Sequence, residues 1–221
     1  MTSETKVLIG ISVATIVLVV GAALLFGGKS SNNQNSEPIK NPQDLIRKDS
    51  HIVKATNKNA VTIVEFGDFQ CPACGASYPT IEQLRKAYKG QITFVFRNFP
   101  LAMHHNAKAA AETAEAAGAQ GKFFEMYDLL YTNQEKWGET NNAMSYFLEY
   151  AQALKLDMDK FKSDVEGNKY AKKIQADVTD GSAVGVEATP TFFINGVKQE
   201  GGLPYSEFKT KIDDVLKKSS K

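Results

Sequence analysis

The chain contains two cysteines, and both lie in the short stretch "FQCPACG" at residues 69–75. A disulfide between Cys71 and Cys74 closes a loop of about four residues, so it constrains the unfolded chain little. A purely structural role is therefore disfavoured, and redox chemistry or metal binding explains the pair better. Zinc needs about four ligands, and the sequence offers two cysteines and three histidines as candidates, which makes a zinc site a weak explanation. We expect no metal and no cofactor other than a reversible Cys71–Cys74 disulfide.

The residues around the cysteines predict where the two sulfur atoms lie. Residues 60–66 are rich in β-branched side chains and predict a strand, whereas residues 72–90 predict a helix. Pro72 suits the first turn of that helix, because a missing N–H costs no hydrogen bond there. Free N–H groups and the helix dipole at this terminus stabilise a thiolate, which makes Cys71 the expected, exposed nucleophile. Cys74 lies one turn further along the helix and is expected to be shielded. Its expected role is to resolve a mixed disulfide between Cys71 and a substrate.

The order of the remaining elements predicts an α/β domain with an added block of helices. Residues 91–99 predict a second strand, and the strand–helix–strand order indicates a βαβ unit with parallel strands. Residues 106–183 carry helical signals only, where a simpler α/β domain needs one helix. Residues 190–200 predict a hairpin with Asn195-Gly196 at its turn, and an amphipathic helix follows. We interpret the helical block as an inserted subdomain.

An apolar segment precedes this domain. Residues 7–28 contain no charged side chain, and a helix of that length, about 33 Å, matches a hydrocarbon core of ~30 Å. We expect a transmembrane anchor there after a short cytoplasmic tail at 1–6. A cleaved signal peptide is the alternative, but the run is long for one and lacks a cleavage site beyond it. Residues 29–44 predict a flexible linker, and the globular domain then spans 45–221.

Three stretches together resemble the DsbA-like branch of the thioredoxin superfamily: "VEFGDFQCPACGASYP", "GKFFEMYDLLY" and "ATPTFFINGV". The resemblance covers nearly all of residues 50–220. It implies a thioredoxin fold with a helical insertion at about 103–185, and thiol–disulfide oxidoreductase activity outside the cytoplasm. The globular domain is therefore expected on the extracytoplasmic side of the cell membrane, as a single-pass protein with its N-terminus inside.

The same resemblance implies a cis peptide bond between Thr189 and Pro190, at a site that faces Cys71. Such a bond would leave the Thr189 backbone free to pair with an extended substrate segment. From the sequence alone, a cis bond before a proline is uncommon, and the alternative is that Pro190 opens an edge strand. Thr189 and Pro190 are thus the expected substrate-binding residues.

A buried acid is also expected near the cysteines. Glu65 shares a face of the predicted strand with apolar residues, so burial should raise its pKa, and relatives use an acid here to handle protons near Cys74. The alternative is a strand-end charge that reaches solvent. Pro72 and Ala73 shape the site between the cysteines. Strongly oxidising relatives often carry histidine in place of Ala73, which leaves the depth of the nucleophile's pKa shift open.

Other polar and aromatic side chains are expected to be structural. Asp68 is expected in an exposed turn, and His104 and His105 are expected on the polar surface of a loop. The insertion core is expected to contain Phe123, Phe124 and Tyr127.

The composition excludes one class of partner. The chain is 43% hydrophobic with a net charge of +1, so it has no basic excess with which to bind nucleic acid. The favoured function is an oxidase that donates its disulfide to exported, folding proteins with cysteines. The family implies reoxidation by a quinone-linked membrane partner. Alternatives are a disulfide reductase or isomerase, or a non-catalytic binding domain. We expect a monomer, because no segment is spare for the dimerisation module that isomerases usually carry.

Overall fold

The computed structural model describes residue 39 and residues 42–219. The expected tail (1–6), the expected membrane anchor (7–28) and most of the expected linker (29–44) lie outside this part of the chain. Within it, no helix is long and apolar enough to cross a membrane.

The described residues form a five-stranded mixed sheet in the order β1-β3-β2-β4-β5. The strands are β1 (His51–Val53), β2 (Val61–Gly67), β3 (Ile92–Asn98), β4 (Thr191–Ile194) and β5 (Val197–Glu200). β2 and β3 are parallel, which confirms the predicted βαβ unit, and the other neighbouring strands are antiparallel. β4 and β5 form the predicted hairpin with Gly196 at φ 81°. β1 was not predicted, because three residues are too short to show a strand pattern.

The helices surround this sheet, and most of them lie between β3 and β4. They are α1 (Pro72–Ala87), α2 (Ala107–Gly118), α3 (Phe123–Thr132), α4 (Gln134–Trp137), α5 (Ala143–Ala153), α6 (Met158–Glu166), α7 (Ala171–Ala183) and α8 (Tyr205–Ser219). The run α2–α7 lies within residues 106–183, where the sequence carries helical signals only. The observed fold is a mixed α/β thioredoxin-like fold.

Both faces of the central strands are buried, so β2 and β3 read as continuous apolar runs rather than alternating ones. On one face, Ile63 and Phe96 pack in a core with residues of α1, α3 and α8. On the opposite face, Val64 and Val95 pack with apolar residues near α7 and with Leu45. The sheet is therefore a rigid, doubly covered support for whatever follows the end of β2.

The helical insertion contacts the segment that carries the cysteines. The ring of Tyr127 on α3 lies 5.2 Å from Phe96 and 5.9 Å from Phe69. Tyr131, one turn later, lies 5.1 Å from Phe69. As predicted, Phe123 and Tyr127 are buried in the insertion core, while Phe124 is partly buried against it. The turn after β2 is thus held between the sheet and the insertion.

Candidate active site

Cys71 lies where the turn after β2 meets the first turn of α1. It is the N-cap residue of α1, with φ −64° and ψ 121°, and Pro72 occupies the start of the helix as predicted. The Cys71 N–H donates to the Asp68 carbonyl at 3.1 Å, and the Gly75 N–H donates to the Cys71 carbonyl at 3.1 Å. The sulfur atom of Cys71 therefore belongs to the residue at the positive end of the helix dipole.

The loop before β4 lies directly against this sulfur. The Thr189–Pro190 peptide bond is cis, as predicted, and the Cys71 thiol donates to the Thr189 carbonyl at 3.3 Å. The Thr189 hydroxyl oxygen is buried and has no geometric hydrogen-bond partner in the part of the chain described. The structure thus brings Cys71 together with Thr189 and Pro190, which are far apart in the sequence.

Cys71 is less exposed than the sequence predicted. Cys71 is 6% exposed and Cys74 is 1% exposed, and both are free thiols. The prediction of an exposed nucleophile was wrong because the loop at Thr189 covers one side of the sulfur. The order of exposure is as predicted, and Pro72 and Ala73 beside Cys71 are exposed.

The environment favours a thiolate on Cys71 and a thiol on Cys74. A hydrogen bond with the Cys74 side chain lowers the pKa of Cys71 to about 5, against the opposing effect of burial. The Thr189 side chain and the N–H groups of Cys74 and Ala73 add to this lowering. Burial, followed by the interaction with Cys71, raises the pKa of Cys74 well above its ordinary value. The negative charge is therefore concentrated on Cys71.

Glu65 is buried on β2, as predicted, at 1% exposure. Burial raises its pKa to about 8, although the hydrogen bond from Tyr127 and the charge of Arg85 act in the opposite direction. The Tyr127 hydroxyl donates to Oε2 of Glu65 at 3.2 Å. The charge of Glu65 also raises the pKa of Cys74, so the two groups are electrostatically coupled. Tyr127 was missed as a site residue, because its helical aromatic pattern indicates core packing only.

The expectation that Asp68 lies in an exposed turn was wrong, since Asp68 is 1% exposed. Its carboxylate accepts hydrogen bonds from the Gln70 N–H at 2.8 Å, the Leu101 N–H at 2.9 Å and Nδ1 of His104 at 2.6 Å. These donors replace the water that a buried carboxylate loses. His104 therefore holds the active-site turn, whereas His105 is exposed and its ring nitrogens lie 3.5 Å from Nε2 of Gln70 and 3.1 Å from Nδ2 of Asn106.

Side-chain amides also join the insertion to the active-site turn, and no sequence pattern predicted these contacts. Nε2 of Gln134 donates to the carbonyls of Phe69 and Cys71 at 2.7 and 2.9 Å. Nε2 of Gln70 donates in return to the Gly138 carbonyl at 2.7 Å. A groove of about 430 Å³ runs beside Pro72, between α1 and these insertion residues. Over residue 39 and residues 42–219, no three His, Cys, Asp or Glu side chains are placed to hold a metal ion.

Comparison with protein families gives one match over most of the chain. The family model described as thioredoxin (Thioredoxin_4) matches residues 50–214. Among solved structures, alpha-DsbA1 from Wolbachia pipientis superimposes with a TM-score of 0.70 at 20% identity, over 79% of this chain and 94% of that one. Oxidised BdbD from Bacillus subtilis gives 0.68 at 23% identity, over 76% and 93%. At these identities the structural likeness shows the fold.

Curated proteins of similar sequence include Na(+)/H(+) antiporters. The Na(+)/H(+) antiporter NhaA 1 of Salinispora arenicola is 41% identical over 150 residues, which is 67% of this chain and 22% of the antiporter. This chain therefore spans about a fifth of the length of that relative. Most of the 150 aligned residues must lie in the α/β domain, because the part of the chain outside residues 42–219 is much shorter than the alignment.

Proposed function

This chain belongs to the thioredoxin family, and we propose that it is a DsbA-like thiol–disulfide oxidoreductase that acts as an oxidase. One observation carries the proposal. Cys71, at the N-terminus of α1, lies 3.3 Å from the Thr189 carbonyl in surroundings that lower its pKa to about 5. A low thiol pKa makes Cys71 a good leaving group and stabilises the reduced pair, and both effects favour donation of a disulfide.

The proposed reaction moves two electrons from a substrate dithiol to the cysteine pair. A substrate thiolate attacks the sulfur of Cys71 and breaks the Cys71–Cys74 bond, so that a mixed disulfide forms and Cys74 departs as a thiolate. Cys74 takes up a proton, because burial raises its pKa. Glu65, with a pKa of about 8, is largely protonated at neutral pH and is our proposed proton source. A second substrate thiolate then attacks the substrate sulfur and expels Cys71 as a thiolate.

The antiporter activity in the names of the curated relatives is not carried over to this chain. The chain spans only 22% of that relative's length. The site at Cys71 and Cys74 supports thiol chemistry and gives no reason to propose ion transport. We propose instead that substrates are exported proteins with unpaired cysteines, which would pair with the backbone at Thr189. Reoxidation by a quinone-linked membrane protein completes the proposed cycle.

A disulfide donor needs an oxidising compartment. We therefore propose that residues 7–28 anchor the domain to the cell membrane and that the domain lies on the extracytoplasmic side. The support is the uncharged apolar run itself. Protease added to intact wall-less cells should digest the domain. Protection of the domain, or a mature protein that begins after residue 29, would contradict this location.

Trapping of a mixed disulfide tests the proposed roles. Oxidised protein should convert a reduced peptide with two cysteines to its disulfide, and Cys71→Ser should abolish this activity. Cys74→Ser, mixed with the disulfide form of the same peptide, should accumulate a mixed disulfide, because the Cys71 thiolate attacks that disulfide, releases one peptide thiol and has no Cys74 to displace it. The double variant Cys71→Ser/Cys74→Ser is the control, because it keeps the surface and should trap nothing. Trapping by Cys71→Ser alone would reverse the assignment, and no exchange by the wild type in either direction would leave a non-catalytic binding domain.

A further inference from the structure

A side chain of the helical insertion clamps the backbone on both sides of the cysteine motif. Gln134 is the first residue of α4, and its Nε2 donates to the Phe69 carbonyl at 2.7 Å and to the Cys71 carbonyl at 2.9 Å. Both N–H bonds of one amide group are thus directed at the turn that leads into α1. We propose that Gln134 is a positioning residue that keeps the first N–H groups of α1 aimed at the sulfur of Cys71. This inference rests on the proposed function.

The anchoring of α4 makes such a clamp effective. The Gly138 N–H donates to the Gln134 carbonyl, and the Gly138 carbonyl accepts from Gln70 at 2.7 Å and from Asn106 at 3.1 Å. Asn106 also donates to the Thr140 carbonyl at 2.8 Å. The contact is therefore reciprocal: the active-site turn holds α4 through Gln70, and α4 holds the turn through Gln134.

Gly75 leaves the space that the Gln134 amide occupies. A Cβ atom built on Gly75 would overlap with Oε1 of Gln134. Gly75 also donates its N–H to the Cys71 carbonyl, which is one of the two carbonyls that Gln134 binds. A side chain at position 75 would therefore push the amide away from the turn without changing Gln134 itself.

The link to chemistry runs through the thiolate. The N–H groups of Cys74 and Ala73 lower the pKa of Cys71, and they do so only while the peptide units of the first turn keep their orientation. The Cys71 carbonyl belongs to the peptide unit that leads into this turn. Loss of the clamp should let that unit rotate, so the pKa of Cys71 should rise toward its ordinary value.

A merely structural role makes a different prediction. If Gln134 only attached the insertion to the sheet, its replacement would lower the free energy of unfolding and leave the pKa of Cys71 unchanged. The pKa and the kinetic constants, rather than stability alone, therefore distinguish the two roles.

The test replaces Gln134 with Met, which has similar length and no donor. Gln152→Met, on an exposed position of α5, is the matched control. The pH dependence of Cys71 alkylation in the reduced protein should shift upward by about one unit in Gln134→Met, a tenfold change in the thiolate equilibrium. Oxidation of the reduced peptide should slow about 10- to 100-fold in kcat/KM. Gln152→Met should change neither quantity.

Gly75→Ala tests the same contact from the other side and covers the case in which Gln134→Met fails to fold. Alanine favours a helix more than glycine does, so helix propensity alone would not destabilise the protein, whereas displacement of the amide should raise the pKa of Cys71. In the double variant Gln134→Met/Gly75→Ala, the pKa of Cys71 should rise no further than in Gln134→Met, because both substitutions remove the same contact. An unchanged Cys71 pKa in Gln134→Met or in Gly75→Ala would overturn the proposal. If the wild type oxidises no peptide, the proposed function fails, and the alkylation profile still decides the role of Gln134.

Discussion

Reduction of the Cys71–Cys74 disulfide should change the free energy of unfolding with opposite signs at neutral and at acid pH. The disulfide closes a loop of about four residues, which stabilises the oxidised protein by about 2 kcal/mol through chain entropy. In the reduced protein, the pKa of Cys71 is about 5 in the folded state and ~8.5 in the unfolded state. The folded thiolate is then worth roughly 3 kcal/mol at pH 7. The reduced form should therefore be more stable at pH 7, by about 1 kcal/mol.

The sign reverses in acid because the Cys71 pKa is depressed in the folded state. Its contribution to stability is complete above the unfolded pKa of ~8.5, shrinks as the pH falls toward the folded pKa, and is nearly absent at about pH 4. There the oxidised form should be the more stable one by about 2 kcal/mol. Glu65 is present in both forms, so its own titration cancels to a first approximation when the two are subtracted.

Urea unfolding of both redox forms at the two pH values measures this difference directly. The double variant Cys71→Ser/Cys74→Ser is the control, since added reductant should not change its unfolding curve. The prediction fails if the oxidised form is clearly more stable than the reduced form at pH 7. That result would mean that Cys71 is not a stabilised thiolate, and it would favour a reductase.

Three further substitutions test single contacts of the site. In the oxidised protein, where Cys71 does not titrate, Glu65→Gln should flatten the fall in stability between about pH 4.5 and pH 8, because a carboxyl pKa raised to about 8 gives stability that is lost as the pH rises through the folded value; an unchanged pH dependence of the unfolding free energy would contradict the burial effect. Asp68→Asn should lower the free energy of unfolding by about 1–3 kcal/mol, while Asp214→Asn on the exposed side of α8 should leave it unchanged. Thr189→Val should raise the pKa of Cys71, because the polar Thr189 side chain helps to lower that pKa, and an alkylation profile identical to that of the wild type would exclude this role.

The local part of the site could be predicted from the sequence. Cys71 at a helix start, Pro72 in its first turn and the burial of Glu65 on its strand follow from spacing and residue type, because these features depend on neighbours within a few positions. The cis bond before Pro190 was predicted from the family resemblance, since the residues around it carry no signal of their own.

The features that the sequence analysis mispredicted or missed depend on contacts between residues far apart in the chain. Asp68 is buried because donors from Leu101 and His104 reach it, and nothing next to Asp68 in the sequence announces them. Gln134 is a single amide in a helical stretch, so no spacing pattern marks it. Strand β1 is missing from the prediction for a similar reason, because its three residues become a strand only by pairing with β3.

The proposed oxidase chemistry requires that Cys71 reacts as a thiolate at neutral pH while Cys74 remains a thiol. The most direct measurement is the rate of alkylation of each cysteine in the reduced protein as a function of pH, with the modified residue identified by mass spectrometry. We expect modification of Cys71 with a midpoint near its pKa of about 5, and no modification of Cys74 in the folded protein. A midpoint near the ordinary thiol pKa of ~8.5, or modification of Cys74 before Cys71, would contradict this expectation.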